Sequence, residues 1–302
     1  MPLTKLEFRP GINREVTGYT NEGGWRDCDK VRFTKGYPEK IGGWQRFGVG
    51  SYLGVIRSLH PWQTLAGDRL IGAGTGLKYY VEQGGAFNDV TPLRETTTAG
   101  DVTFSATDGS ATIAVNDTGH GAVLGDFVTF SGAAGLGGNI TADVLNQEYQ
   151  VTAVIDTDNY EFEARTASTP IGNITIDGEL VPTPVLANAS DTGDGGAAVI
   201  GAYQINTGLD TVLFGTGWGA GAWGRGTWGS ASSINTLAAD LRIWSQDNFG
   251  EDLIINPRNG GIFYWDRGAS LGSYTRAVPL SDLAGASDAP TIALSIMVSD
   301  RD

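Results

Sequence analysis

A single cysteine, Cys28, stands among 302 residues, which excludes an intrachain disulfide and zinc ligation by paired thiolates. Only two histidines occur, His60 and His120. No apolar run approaches the roughly 18 residues of a membrane span, so no membrane partner is expected. The opening Met1-Pro2-Leu3-Thr4-Lys5-Leu6-Glu7 lacks the apolar region of a secretory leader. The Asn-x-Ser/Thr triplets at Asn116, Asn139, Asn173 and Asn188 therefore carry no glycosylation message. No phosphate loop of the Gly-x4-Gly-Lys-Ser/Thr kind and no Gly-x-Ser-x-Gly elbow is present.

Charge of one sign is also scarce where it matters. The net charge is −14, and residues 101–200 hold fourteen acids against Arg165 alone. Such a body is a poor sequence-specific DNA reader, because phosphate contacts supply most of that affinity. It suits a surface past which DNA slides without sticking. Residues 1–50 differ, with nine Lys/Arg against six Asp/Glu, and this basic part is expected to touch a partner.

What the chain has in plenty is glycine and aromatic residues: 45 Gly, 8 Trp, 10 Tyr and 11 Phe. With 18% charged residues, this composition describes an all-β protein with many turns rather than a disordered one. Residues 1–21 lack helical periodicity, and Pro10-Gly11 forces a turn, so an extended arm is expected. Within 22–44, Val31 and Phe33 alternate with charged residues as in a half-buried strand. Gly36 and Pro38 punctuate a turn, and Trp25 and Trp44 flank the unit as a hairpin pinned by two rings.

Short strands follow at Leu53–Leu59, Arg69–Thr75 and 76–81, with a turn at Gln83-Gly84-Gly85 and a Pro exit at Pro92. The same plan returns at 241–280, where Leu253-Ile254-Ile255 leads through Gly260-Gly261 to Phe263-Tyr264-Trp265-Asp266. The period suits one four-stranded propeller blade. Residues 101–182 alternate strictly, with turns at Asp108-Gly109, Gly125-Asp126 and 156–159, and read as a small inserted β-barrel or sandwich. Residues 183–240 hold a long loop in which Trp218, Trp223 and Trp228 recur every five residues, a step that fits neither helix nor strand. A loop of that length is expected to make a subunit contact. The predicted organisation is thus an arm (1–21), a propeller-like body in two parts (22–100 and 241–302), the insert and the loop region.

Candidate chemistry is thin. Gly219-x-Gly221-x-x-Gly224 matches the dinucleotide fingerprint in letters, but no βαβ pattern surrounds it. His60 and His120 read as structural or solvated. Asp156, Asp158, Glu161 and Glu163 lack the Gly and Glu that a calcium-binding loop requires, and read as a turn followed by outward-facing strand carboxylates. The expectation is no catalytic, cofactor-binding or metal-binding residue and no enzyme activity.

Several long motifs carry a likeness. Phe8-Arg9-Pro10-Gly11-Ile12-Asn13-Arg14-Glu15, Glu22-Gly23-Gly24-Trp25, Asp29-Lys30-Val31-Arg32-Phe33 and Gly36-Tyr37-Pro38-Glu39-Lys40-Ile41-Gly42-Gly43-Trp44 resemble tail proteins of short-tailed bacteriophages. The Trp218/Trp223/Trp228 loop and the stretch from Leu241 to Asp266 look like the same family. The resemblance implies a virion protein made in the host cytoplasm: a nozzle with a β-propeller body in a ring of six copies below the portal and its adaptor. Double-stranded DNA would pass along the ring axis during ejection. Phe8, Arg9, Arg14, Trp25, Arg32, Trp44, Trp218, Trp223 and Trp228 are the expected subunit or partner contacts. Two blade-like units fall short of the roughly 4–8 that close a propeller, so a fragment or one part of a split protein is expected. The alternative is a receptor-binding or fibre-type adhesin in which the insert meets a host glycan.

Overall fold

A computed structural model of the chain describes residues 9–43, 52–166, 183–208, 241–270 and 273–299. The chain divides into two compact units, 1–47 and 48–302.

In the first unit, strands β1 (Val31–Thr34) and β2 (Tyr37–Lys40) form an antiparallel hairpin in which Thr34 faces Tyr37. The two-residue loop is Lys35-Gly36, and both have positive φ, +51° and +88°. That combination suits the mirror-image turns whose twist matches paired strands. Pro38, expected in the turn, instead lies within β2 opposite Phe33. With only two strands both are edges, so a residue without an N–H is tolerated there.

The second unit begins with a four-stranded antiparallel meander: β3 (Ile56–Gln63), β4 (Arg69–Thr75), β5 (Tyr79–Gln83) and β6 (Ala86–Asp89), hydrogen-bonded in that order. The chain then builds a module from β7 (Leu93–Thr96), β8 (Thr103–Ala106), β9 (Thr112–Asn116), β10 (Phe127–Ser131), one helical turn α1 (Ala142–Leu145), β11 (Glu148–Gln150), β12 (Ala153–Val154), β13 (Asn159–Glu163) and β14 (Ile200–Gln204). A second meander follows: β15 (Trp244–Phe249), β16 (Asp252–Pro257), β17 (Phe263–Trp265) and β18 (Val278–Pro279), again paired in order. The protein is all-β, and among the described residues its sheets are antiparallel with none closed into a barrel.

The two meanders pack through alternate residues. On β4 and β5, Leu70, Tyr79 and Val81 turn to one face, and Trp244, Leu253, Ile255, Phe263 and Trp265 answer from the second meander. Tyr79 meets Trp244 edge-on at 5.1 Å between ring centroids, and Trp62 meets Trp265 at 6.3 Å. Gly74 makes this approach possible, since a Cβ there would lie 2.6 Å from Trp244 Cγ. The Trp244 indole N–H donates to the Thr75 carbonyl at 2.7 Å, and that of Trp62 to the Glu251 carbonyl at 3.1 Å. Trp244 thus buries its ring, and Trp62 half-buries its own, with the polar edge of each satisfied. The stretch 292–298 makes an isolated bridge from Ala293 to Gly260, and the amides of Ile296 and Val298 donate to side chains of β15.

The inserted module is a sandwich of two sheets, β11-β10-β14-β7 and β12-β13-β9-β8. Strands β7 and β14 come from outside 101–182 yet complete one of them. Inward alternation places Phe104, Ile113, Val115, Phe130, Tyr149, Tyr160 and Phe162 in one core. Tyr149 stacks on Phe162 at 4.1 Å.

Candidate functional site

Of the contact residues predicted from sequence, Phe8, Trp44, Trp218, Trp223 and Trp228 lie outside the described residues. The other four lie in the N-terminal unit. The Arg9 amide donates to the Gly23 carbonyl, and Arg14 pairs with Asp27 at 2.5 Å. Trp25 rests against Phe33 at 6.3 Å, and its backbone bridges to Ile12. Arg32 pairs with Glu39 across the hairpin at 3.2 Å. These ion pairs are exposed and contribute little to stability, on the order of 0–1 kcal/mol.

A denser constellation sits where the module joins the meanders. Lys78, only 2% exposed, places Nζ 2.7 Å from Asp89 and 2.5 Å from Glu148 of β11. Arg276, just before β18, reaches Asp89 at 2.5 Å and Glu148 at 3.4 Å. Gln204 of β14 donates to Glu148, and the Phe127 ring of β10 lies 4.6 Å from Lys78 Nζ. Two cations and two carboxylates from both meanders and the module balance at one point. Burial acts to raise the Asp89 carboxyl, but Lys78, Arg276 and the Thr91 hydroxyl outweigh it and hold it below the usual range.

The mouth of the sandwich holds a second constellation. A cleft of about 360 Å³ is lined by Glu95, Asp101, Asp117 and the threonines 96, 97, 98 and 118. Asp117 is 5% exposed and accepts a bond from the Tyr203 hydroxyl at 2.5 Å. The Tyr160 and Tyr203 hydroxyls lie 2.8 Å apart, and the Arg94 guanidinium lies over the Tyr203 ring at 5.0 Å. Burial pushes the Asp117 carboxyl up, Glu95 and Asp101 add to this, and the Tyr203 bond and His120 oppose it. The cleft therefore presents a carboxyl biased toward holding a proton beside a set of hydroxyls.

Sequence reading did not single out Asp117 or Tyr203. Yet Ile113, Val115 and Asp117 share one phase of the strand period, so an acid at the next inward position was the available signal. The His120 ring packs on Tyr160 at 4.8 Å, and its Nδ1 accepts the Ala122 amide at 2.9 Å. His60 bonds to Asn248 across the meanders. Asp156 caps its own turn by accepting bonds from the Asp158 amide and the Asn159 side chain. Among the described residues, no group of three or more His, Cys, Asp or Glu is placed to hold a metal ion.

No protein-family model matches the chain, and no curated protein sequence matches it. Among solved structures it is similar to the endosialidase of phage phi92, at 16% identity and a TM-score of 0.22. That match covers 72% of this chain and 29% of the endosialidase chain. A likeness this slight carries no argument about fold, substrate or mechanism. The protein it is similar to is an enzyme, contrary to the expectation of no enzyme activity, which is not carried further.

Proposed function

We propose that this chain is a structural protein of a bacteriophage tail. One observation carries the reading: two meanders of the same plan, β3–β6 and β15–β18, stack face to face as propeller blades do, within a chain whose N-terminal motifs resemble phage tail proteins. In the finer form of the proposal the chain belongs to a six-copy nozzle ring under the portal and adaptor. Its acidic body lets DNA phosphates pass by repulsion, and its basic N-terminal unit, which includes Arg9, Arg14 and Arg32, holds a neighbouring subunit. The test is immunogold labelling of purified particles with antibody against the sandwich module. Label at the tail supports the proposal, and label absent from intact and disrupted particles overturns it.

A second reading, a receptor-binding tail adhesin, is favoured by the hydroxyl-rich cleft at the mouth of the sandwich. Carboxylates and threonine hydroxyls are suited to bonding the hydroxyl groups of a sugar. Adsorption competition separates the two readings. Excess purified chain blocks phage adsorption if it is an adhesin and leaves adsorption unchanged if it is a nozzle.

A further inference from the structure

We infer that the pocket between the end of β14 and the second meander binds a small oxyanion, a carboxylate or phosphate carried on a compact organic body, through Arg242 and Arg258. The pocket encloses about 340 Å³, and among the described residues twelve line it, none of them acidic. In a chain with 34 acids and 20 Lys/Arg, a wall whose described residues include two arginines and no carboxylate selects for negative charge.

Neither arginine forms an ion pair with any described residue. Arg242 is held in place: its guanidinium lies 5.5 Å from the Trp244 ring centroid and donates to the Asn206 carbonyl. Asp126, whose charge acts on Arg242, already accepts the Val123 amide at 3.0 Å, the Thr207 amide at 2.9 Å and the Asn206 side chain. Its oxygens are thus engaged elsewhere. Burial pushes the Arg242 guanidinium down to about 10, against the raising pull of Asp126. A bound oxyanion would accept paired N–H···O bonds from this guanidinium.

Arg258 supplies the second arm. Its backbone N–H bonds to the Ile243 carbonyl at 2.8 Å, which places it beside Arg242 across the β15–β16 pair. Its side chain is exposed and bonds to no described residue. Ile205, Pro257 and Phe263 give the pocket an apolar wall, so the ligand has an organic flank. The volume sits at the low end of ligand pockets, roughly 300–1,000 Å³, and admits one small molecule.

The test titrates the full chain with inorganic phosphate, glucuronate and uncharged glucose at constant ionic strength, followed by calorimetry and tryptophan fluorescence. Saturable binding of at least one anion is expected, with glucose silent. Arg258→Gln weakens that binding by about tenfold or more, since a charge-assisted bond contributes about 1.5–3 kcal/mol. Because Arg258 is exposed, this variant keeps the wild-type near-UV spectrum, whereas Arg242→Gln also disturbs the packing on Trp244. Tighter phosphate binding identifies a phosphate ester and tighter glucuronate binding a sugar acid; either supports the site. No saturable binding of either anion, equal binding of glucose, or binding unchanged in both variants overturns it.

Discussion

Lys78 and Glu148 meet at 2.5 Å in the interior, one from the loop before β5 and the other from the inserted module. Removing the ammonium leaves Asp89 and Glu148 with Arg276 as their remaining cation. Breaking a buried pair by deleting one partner costs about 3–5 kcal/mol. Lys78→Met is therefore expected to lower unfolding free energy by that amount in urea titration. A loss under about 1 kcal/mol would show that the cluster is solvated in solution.

Acid acts on the same point. The folded-state carboxyl of Asp89 lies below its unfolded value of about 3.9, so its stabilisation is present above that pH and is lost as pH falls through the folded value. Asp191 behaves alike: burial acts to raise it, but the amides of Asn188, Ile140, Gly138 and Asn139 outweigh this and hold it low. Melting temperature is expected to fall steeply below about pH 4, with the fall from Asp89 abolished in Asp89→Asn. An unchanged slope in that variant contradicts the assignment.

Asp117 has the opposite sign. Its carboxyl is raised in the fold, so ionisation at neutral pH opposes folding, and the opposition fades as pH falls through the folded value. Asp117→Asn keeps an acceptor for the Tyr203 hydroxyl. It is expected to leave stability at pH 7 unchanged or raised, and to flatten the pH dependence above the normal carboxylate range. A clear destabilisation at pH 7 shows instead that the ionised carboxylate is what the cluster requires.

Gly74 sets the distance between the meanders. A methyl group there meets Trp244 Cγ at 2.6 Å, and neither the ring nor the Ser58 hydroxyl beside it has room to yield freely. Gly74→Ala is expected to cost about 1–3 kcal/mol through overpacking and to alter the near-UV signal of Trp244. Phe162→Ala, which removes the ring stacked on Tyr149 in the module core, is expected to cost about 3–5 kcal/mol. A protein in which both variants melt like wild type does not hold these cores in solution.

Much of this fold was legible because its signals are local. Alternation at Ile113/Val115 and at Tyr160/Phe162 marks strands with one buried face, and Gly-flanked aromatic runs such as Phe263-Tyr264-Trp265 mark meander strands. Pro38 misled because proline signals a turn only when its missing N–H would disrupt pairing, and an edge position in β2 avoids that cost. The charge cluster was illegible for a different reason. Lys78, Asp89, Glu148 and Arg276 are up to 198 residues apart and share no motif, so only the packing of module on meanders brings them together. Arg242 and Arg258 likewise gain meaning only from the fold, which lines one pocket with both of them and, among the described residues, with no carboxylate.

The central claim, that this is a tail structural protein, is tested most directly by cryo-electron microscopy of intact purified virions. The account predicts tail density that fits the two stacked meanders with the sandwich module attached through Lys78, Asp89, Glu148 and Arg276, present in several symmetry-related copies. A fully interpreted tail with no density for this fold, together with recovery of the chain solely as a soluble species outside particles, would contradict it.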